Sequence, residues 1–267
     1  MSYGRPKAIT SLNNDTVKAV RALHMKKARE ESGRFLAEGL KIVIEALDQG
    51  FAPKVLMYSR EADHPLLDRV SRETRAAGGE VVEVTREILE KVSRRDNAQT
   101  VVAVFEQAFA PLDAINPKAA ACFVALEQVR DPGNLGTIVR TADSAGCGGV
   151  ILIGETVDPF SVEAVRATMG SIFAVPLARA TREEFLAWRK RWPGSVVGTL
   201  LTATHGYREA PYRAPTLIVM GPEQAGLSPD LAAACDVNVK IPMRGRADSL
   251  NLAVATGIMV YAVTDAA

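Results

Sequence analysis

DPGNLGTIVRTADSAG (131–146), VMGPEQAGLS (219–228) and IPMRGRADSLNLAVATG (241–257) are the stretches from which the fold of the second half of the chain is read. In each, a Gly-, Pro-, Asn- or Ser-rich turn stands between a strand-like and a helix-like pattern. Working outward, the apolar runs CFVALEQV, GVILIG, FAVPLA, SVVGTLL, TLIVMG and VNVKIP alternate with helical stretches. Continuous apolar strands of this kind belong to a mostly parallel sheet covered on both faces. Such sheets bind ligands in the crevice outside the carboxyl ends of their strands, where the three loops would meet.

Towards the N-terminus, a helix over about 15–31 leads to alternating strands and helices: FLAEG, LKIVIEALDQG, KVLMYS, PLLDRVSRETRAAGG, VVEVT, REILEKVS and TVVAVFE. These form a second, smaller α/β unit. QAFAPLDAINPKAAA (107–121), with Pro111, Pro117 and weak periodicity, reads as the connection. The expected division is a first domain over 1–108, a linker over 109–120 and a second domain over 121–267.

At 267 residues the chain is long enough for two domains that each bury a core. The start, MSYGRPKAITSLNNDTVKAV, lacks the apolar core of a signal peptide, and no apolar run is long enough to cross a bilayer. A cytoplasmic protein without a membrane partner is therefore expected. Cys122, Cys147 and Cys235 sit singly in apolar surroundings and read as reduced core residues. His24, His64 and His205 are too scattered for a metal cluster, and no metal is expected.

A net charge of +1 gives no global signature of nucleic-acid binding. Charge location is more telling, since KAVRALHMKKAREESGR (18–34) concentrates Lys26, Lys27, Arg29 and Arg34 in a short stretch. It reads either as a phosphate-binding face or as a solvated helix face with Glu/Lys pairs.

The order, spacing and residues of the three loops resemble the three motifs of the SpoU/TrmH branch of the SPOUT RNA methyltransferases. ITSLNNDTVKAVRALHMKKAREESGRFLAEGLKIVIEAL and QTVVAVFE resemble the substrate-binding domain that precedes the catalytic domain in many of these enzymes, a fold related to the L30e and L7Ae RNA-binding proteins. The resemblance implies a trefoil-knotted α/β methyltransferase domain behind a small L30e/L7Ae-like α/β domain. It further implies a homodimer packed through the knotted domain. Under it, Lys26, Lys27, Arg29 and Arg34 become candidate RNA contacts.

The residues of the motifs bear two readings each. Asn134 and Arg140 on their own are a helix cap and a surface ion-pair partner; the resemblance makes them catalytic. Gly221 and Gly226 fit a tight turn, which leaves Glu223 unexplained, and Pro222 stands where the family often has Asn. Ser249 is placed to cap the last helix, whereas Asn251 falls just inside it, where Asn is a modest helix former. The resemblance assigns Glu223, Ser249 and Asn251 to the active centre. It also implies a pocket for S-adenosylmethionine, formed largely by backbone, at Thr199, Leu200, Gly221, Ile241 and Leu250.

No GxGxxG follows the first strand of the second domain, which argues against a dinucleotide-binding enzyme. The expected activity is transfer of a methyl group from S-adenosylmethionine to a ribose 2′-hydroxyl, with ribosomal RNA the first candidate substrate and tRNA the second. A base methyltransferase of the wider superfamily and a non-catalytic RNA-binding or ribosome-assembly factor are the alternatives.

Overall fold

The computed structural model describes residues 6–223 and 225–266. Residues 1–5, which open the first expected domain, Gln224 of the second motif and Ala267 lie outside the described residues. The chain divides into two compact units, Met1–Gln107 with Phe160–Ala174, and Ala108–Pro159 with Val175–Ala267.

The first unit carries β1 (Lys7–Ile9), β2 (Arg34–Glu38), β3 (Val55–Ser59), β4 (Glu80–Val84) and β5 (Val101–Glu106) in the order β1-β4-β3-β5-β2. The β1–β4 and β4–β3 pairs are parallel, and β5 is antiparallel to both its neighbours. Its helices are α1 (Asp15–Ala22), α2 (Lys26–Ser32), α3 (Leu40–Asp48), α4 (Leu67–Ala76) and α5 (Arg86–Ser93). The single helix expected over 15–31 is two, because the chain turns at Leu23 and restarts with Met25 as the cap of α2. The turn strands the carbonyls of Leu23 and His24. Arg29 satisfies both, its Nη1 donating to them at 2.8 and 3.1 Å.

Helix α7 (Val162–Thr168) also belongs to the first unit, although its sequence falls within the second expected domain. Two sets of interactions hold it there. Phe160 and Phe173 join a ring cluster with Phe35 and Phe105, and Arg166 forms a two-pronged pair with the buried carboxylate of Glu38, at 3.1 and 2.7 Å. Periodicity gives a helix but not the core it joins, so a contiguous second domain over 121–267 misses this excursion.

The second unit contains β6 (Cys122–Glu127), β7 (Val150–Ile153), β8 (Leu177–Ala180), β9 (Val196–Thr199), β10 (His205–Gly206), β11 (Thr216–Met220) and β12 (Val237–Lys240). They pair in the order β10-β12-β9-β11-β6-β7-β8, every pair parallel. All residues of β6, β7 and β11 are buried, as continuous apolar strands require. Phe123, Ala125, Ile151 and Val219 share a core with Phe185 and Trp188 of α8 (Arg182–Arg189) and Leu231 of α9 (Pro229–Ala234). Helices α6 (Pro132–Ser144) and α10 (Leu252–Thr264) pack on each other, and α10 also meets β6 and β11.

The expected linker is part of this second unit. Ala110 donates its N–H to Leu177 O at 2.7 Å, and Ile115 is buried in the core, so the segment packs despite its prolines. The cysteines are free. Cys122 and Cys147 are not isolated, since the Cys147 thiol together with burial pushes Cys122 above the ordinary thiol range. Among the described residues no helix is long and apolar enough to cross a membrane.

Candidate active site

Because all seven strands run parallel, the segments leaving β6, β9, β11 and β12 emerge at one edge of the sheet, and local capping decides which side chains they present. Asp131, not Asn134, caps α6: its Oδ1 accepts the N–H of Asn134 at 2.6 Å, with Pro132 opening the helix. The Asn134 side chain is thereby released from capping. At α10 the expected roles are also exchanged. Asn251 is the cap, its Oδ1 accepting from the N–H groups of Ala253 at 3.0 Å and Val254 at 3.3 Å. Ser249 lies ahead of it, exposed, and its hydroxyl donates to Asp248 at 3.4 Å.

Glu223 joins the three loops. Its Oε1 accepts from Asn134 Nδ2 at 3.0 Å, Asn251 Nδ2 at 3.0 Å and the backbone N–H of Leu252 at 2.8 Å. Asn251 Nδ2 also donates to Asn134 Oδ1 at 2.9 Å. A carboxylate at the first amides of α10 meets the positive end of the helix dipole. The acid that a tight turn left unexplained is thus the acceptor on which residues 89 and 28 positions away converge.

Beside this junction lies a cavity of about 240 Å³. Thr199, Leu200, Gly221, Ile241 and Leu250, the five residues expected to hold the methyl donor, all line it, together with Glu223 and Ser249. Gly221 cannot be replaced cheaply, because a Cβ there would lie 2.3 Å from Gly226 C and 2.4 Å from Leu227 N. Sequence reasoning missed Met243 and Leu252, which add apolar wall. Thr199 Oγ1 is buried without a hydrogen-bond partner among the described residues. A pocket with apolar walls, a bare backbone approach and an orphaned hydroxyl suits a nucleoside carrying a thioether or sulfonium arm.

Arg140 is not drawn into the junction. It lies six residues after Asn134, roughly 9 Å further along α6, and is exposed. Among the described residues its guanidinium has no ion-pair partner. In the first unit, Lys26 and Lys27 are exposed and pair with Glu30 and Glu31 one helical turn on, at 3.6 and 3.8 Å. Arg34 is exposed as well. Arg29 differs from these three: it is only 4% exposed and donates to the carbonyls of Leu23 and His24.

The chain is similar to known proteins over nearly its whole length. A model of the SpoU rRNA Methylase family matches residues 121–261, and one of an MRM3-like substrate binding domain matches residues 14–103. The 23S rRNA (guanosine(2553)-2'-O)-methyltransferase RlmP of Bacillus subtilis is 32% identical over 96% of this chain and 98% of its own. A 23S rRNA (uridine(2479)-2'-O)-methyltransferase of Streptomyces viridochromogenes is 31% identical over 95% of this chain and 90% of its own. The crystal structure of an AdoMet-bound rRNA methyltransferase from Sinorhizobium meliloti has a TM-score of 0.92 at 50% identity, covering 98% of this chain and 99% of that one.

Proposed function

The chain belongs to the SpoU rRNA Methylase family, and on that premise we propose that it methylates a ribose 2′-hydroxyl of ribosomal RNA with S-adenosylmethionine as donor. The observation that carries this reading is the convergence of Asn134 and Asn251 on Glu223 beside a cavity lined by all five expected donor residues. Relatives matching almost the whole chain are named for 23S rRNA, which favours ribosomal RNA over tRNA.

When bound, S-adenosylmethionine supplies a methyl group on a sulfonium, already a good leaving group. The chain has two tasks: to align the ribose oxygen with that methyl, and to help the hydroxyl lose its proton. Thr199, Leu200, Gly221, Ile241 and Leu250 hold the donor. Asn134, Glu223, Asn251 and Ser249 set the positions of the ribose and the loops around it. A guanidinium is a donor-only cation with no site to accept a proton, so Arg140 serves to stabilise the developing alkoxide, with a substrate phosphate as proton acceptor.

In this reading the first unit reads the RNA, the second unit carries the transfer, and the C-terminal segment threads a trefoil knot. Two copies pair through α10, whose Val254 and Tyr261 are 52% and 48% exposed on an otherwise apolar helix. The protein works in the cytoplasm.

Mapping 2′-O-methyl sites in ribosomal and transfer RNA with and without the gene tests the substrate. Loss of a site in ribosomal RNA is expected. A site lost only from tRNA would overturn it.

A further inference from the structure

A second cleft, of about 350 Å³, shares Ile241 with the donor cavity and is lined also by Tyr207, Arg208, Glu209 and Arg244. Tyr207 is pinned from its backbone: its N–H donates to Lys240 O at 3.0 Å, and its carbonyl accepts the Tyr212 hydroxyl. Arg208 Nε donates to the Tyr207 hydroxyl at 2.9 Å, and its guanidinium carbon lies 5.4 Å from the Tyr207 ring centroid. An aromatic ring and a guanidinium, both planar, are thus held together at the cleft. Glu209 is already occupied, one carboxylate oxygen accepting the N–H of Gly206 at 3.3 Å.

Arg244 and Arg246 stand in the third motif itself, between Met243 and Ser249, both of which line the donor cavity. Both arginines are exposed, and among the described residues neither has an ion-pair partner. Among the described residues these two cations hold nothing together.

We propose that this cleft receives the nucleotide next to the methylated one, its base against Tyr207 and Arg208 and its phosphate on Arg244 and Arg246. The assignment rests on the methyl-transfer reading. Unpaired RNA is recognised by stacking bases on aromatic and guanidinium planes while cations track the backbone. The shared wall at Ile241 sets such a nucleotide beside the methyl donor.

The test uses the full chain with two variants, Tyr207→Leu and the double variant Arg244→Gln/Arg246→Gln. Binding of a short fluorescein-labelled single-stranded oligoribonucleotide is measured across a salt series, and donor affinity in parallel as the control for folding. Tyr207→Leu is expected to weaken RNA binding roughly 10-fold at every salt concentration, the loss of about one stacked base. The double variant is expected to weaken binding at low salt and flatten the salt slope by about 0.7 per lost phosphate contact. In turnover, KM for ribosomal RNA rises while kcat and donor affinity hold. Should Tyr207→Leu disturb the turn and lose donor binding, Tyr207→Phe, expected to keep RNA affinity, is compared with Tyr207→Gln, expected to lose it. Wild-type RNA affinity and salt slope in variants with intact donor binding would overturn the proposal. Absence of methyl transfer by the wild-type chain would instead overturn the functional reading, and the binding series would still decide the cleft.

Discussion

The loops of the second unit and the basic stretch of the first present similar sequence signals, polar residues clustered within a few positions, yet they use them in opposite ways. In the loops, polar side chains turn to one another across the chain: Asn134, released from capping by Asp131, and Asn251, which caps α10 through its Oδ1 while its Nδ2 stays free to donate, meet on Glu223 in one junction. In the stretch over 26–34, the most deeply placed cation, Arg29, is spent on mending a break between two helices. A cluster of polar residues marks a site where its side chains keep donors or acceptors for one another after the local backbone has been satisfied, as Asn134 and Asn251 do and Arg29 does not.

Gly221→Ala sharpens this comparison with the largest expected effect. Backbone atoms at 2.3–2.4 Å from the new Cβ cannot move as a flexible side chain could. The expected cost is about 3 kcal/mol, over 100-fold in donor affinity. Calorimetric titration of the donor checks it; near-native affinity would mean that the loop is not the donor pocket.

Arg29→Ala probes the other side. It leaves the Leu23 and His24 carbonyls without their donor, at a cost of about 1–3 kcal/mol. Denaturant unfolding should register that loss, while the salt dependence of RNA binding stays as it was. A change in the salt slope with unaltered stability would restore Arg29 to the RNA face.

Lys26 and Lys27 carry a smaller prediction, because each already has a carboxylate neighbour on its helix. Replacing both by Ala should flatten the salt dependence of RNA binding by about 0.7 per phosphate released and leave donor affinity alone. An unchanged slope would make them a solvated face.

The smallest effect is a pH dependence at the same helix break. Burial pushes His24 below its usual imidazole value, outweighing the hydrogen bond to Val92 O at 2.7 Å. The unfolded chain therefore binds this proton more readily, and stability declines as pH falls from about 6.5 towards the lowered folded value. His24→Gln should flatten that portion of the stability–pH curve, and an unaltered curve would assign the decline to other groups.

How far the sequence carries can be judged residue by residue. The parallel sheet was legible because its strands are continuous apolar runs punctuated by Gly and Pro, and the three loops because each is a Gly-, Pro-, Asn- or Ser-rich turn between a strand and a helix. The capping exchange between Asn134 and Asp131 was not, since several polar residues in one turn can all serve as caps. Neither was the convergence on Glu223, which joins positions 89 and 28 residues apart. The excursion of Phe160–Ala174 into the first unit escaped for the same reason: periodicity records which face is buried, not against what.

The central claim is ribose methylation at the Glu223 junction, and one measurement addresses it most directly. Purified wild-type chain and Arg140→Ala are given methyl-labelled S-adenosylmethionine and ribosomal RNA lacking the modification, and the product is digested to nucleosides. Wild-type protein should place the label on a 2′-O-methyl nucleoside, and folded Arg140→Ala should be slower by roughly 10²–10³-fold, the scale of a lost charge-stabilising group. Label on a base, no label from the wild-type chain, or full turnover by Arg140→Ala would contradict the account.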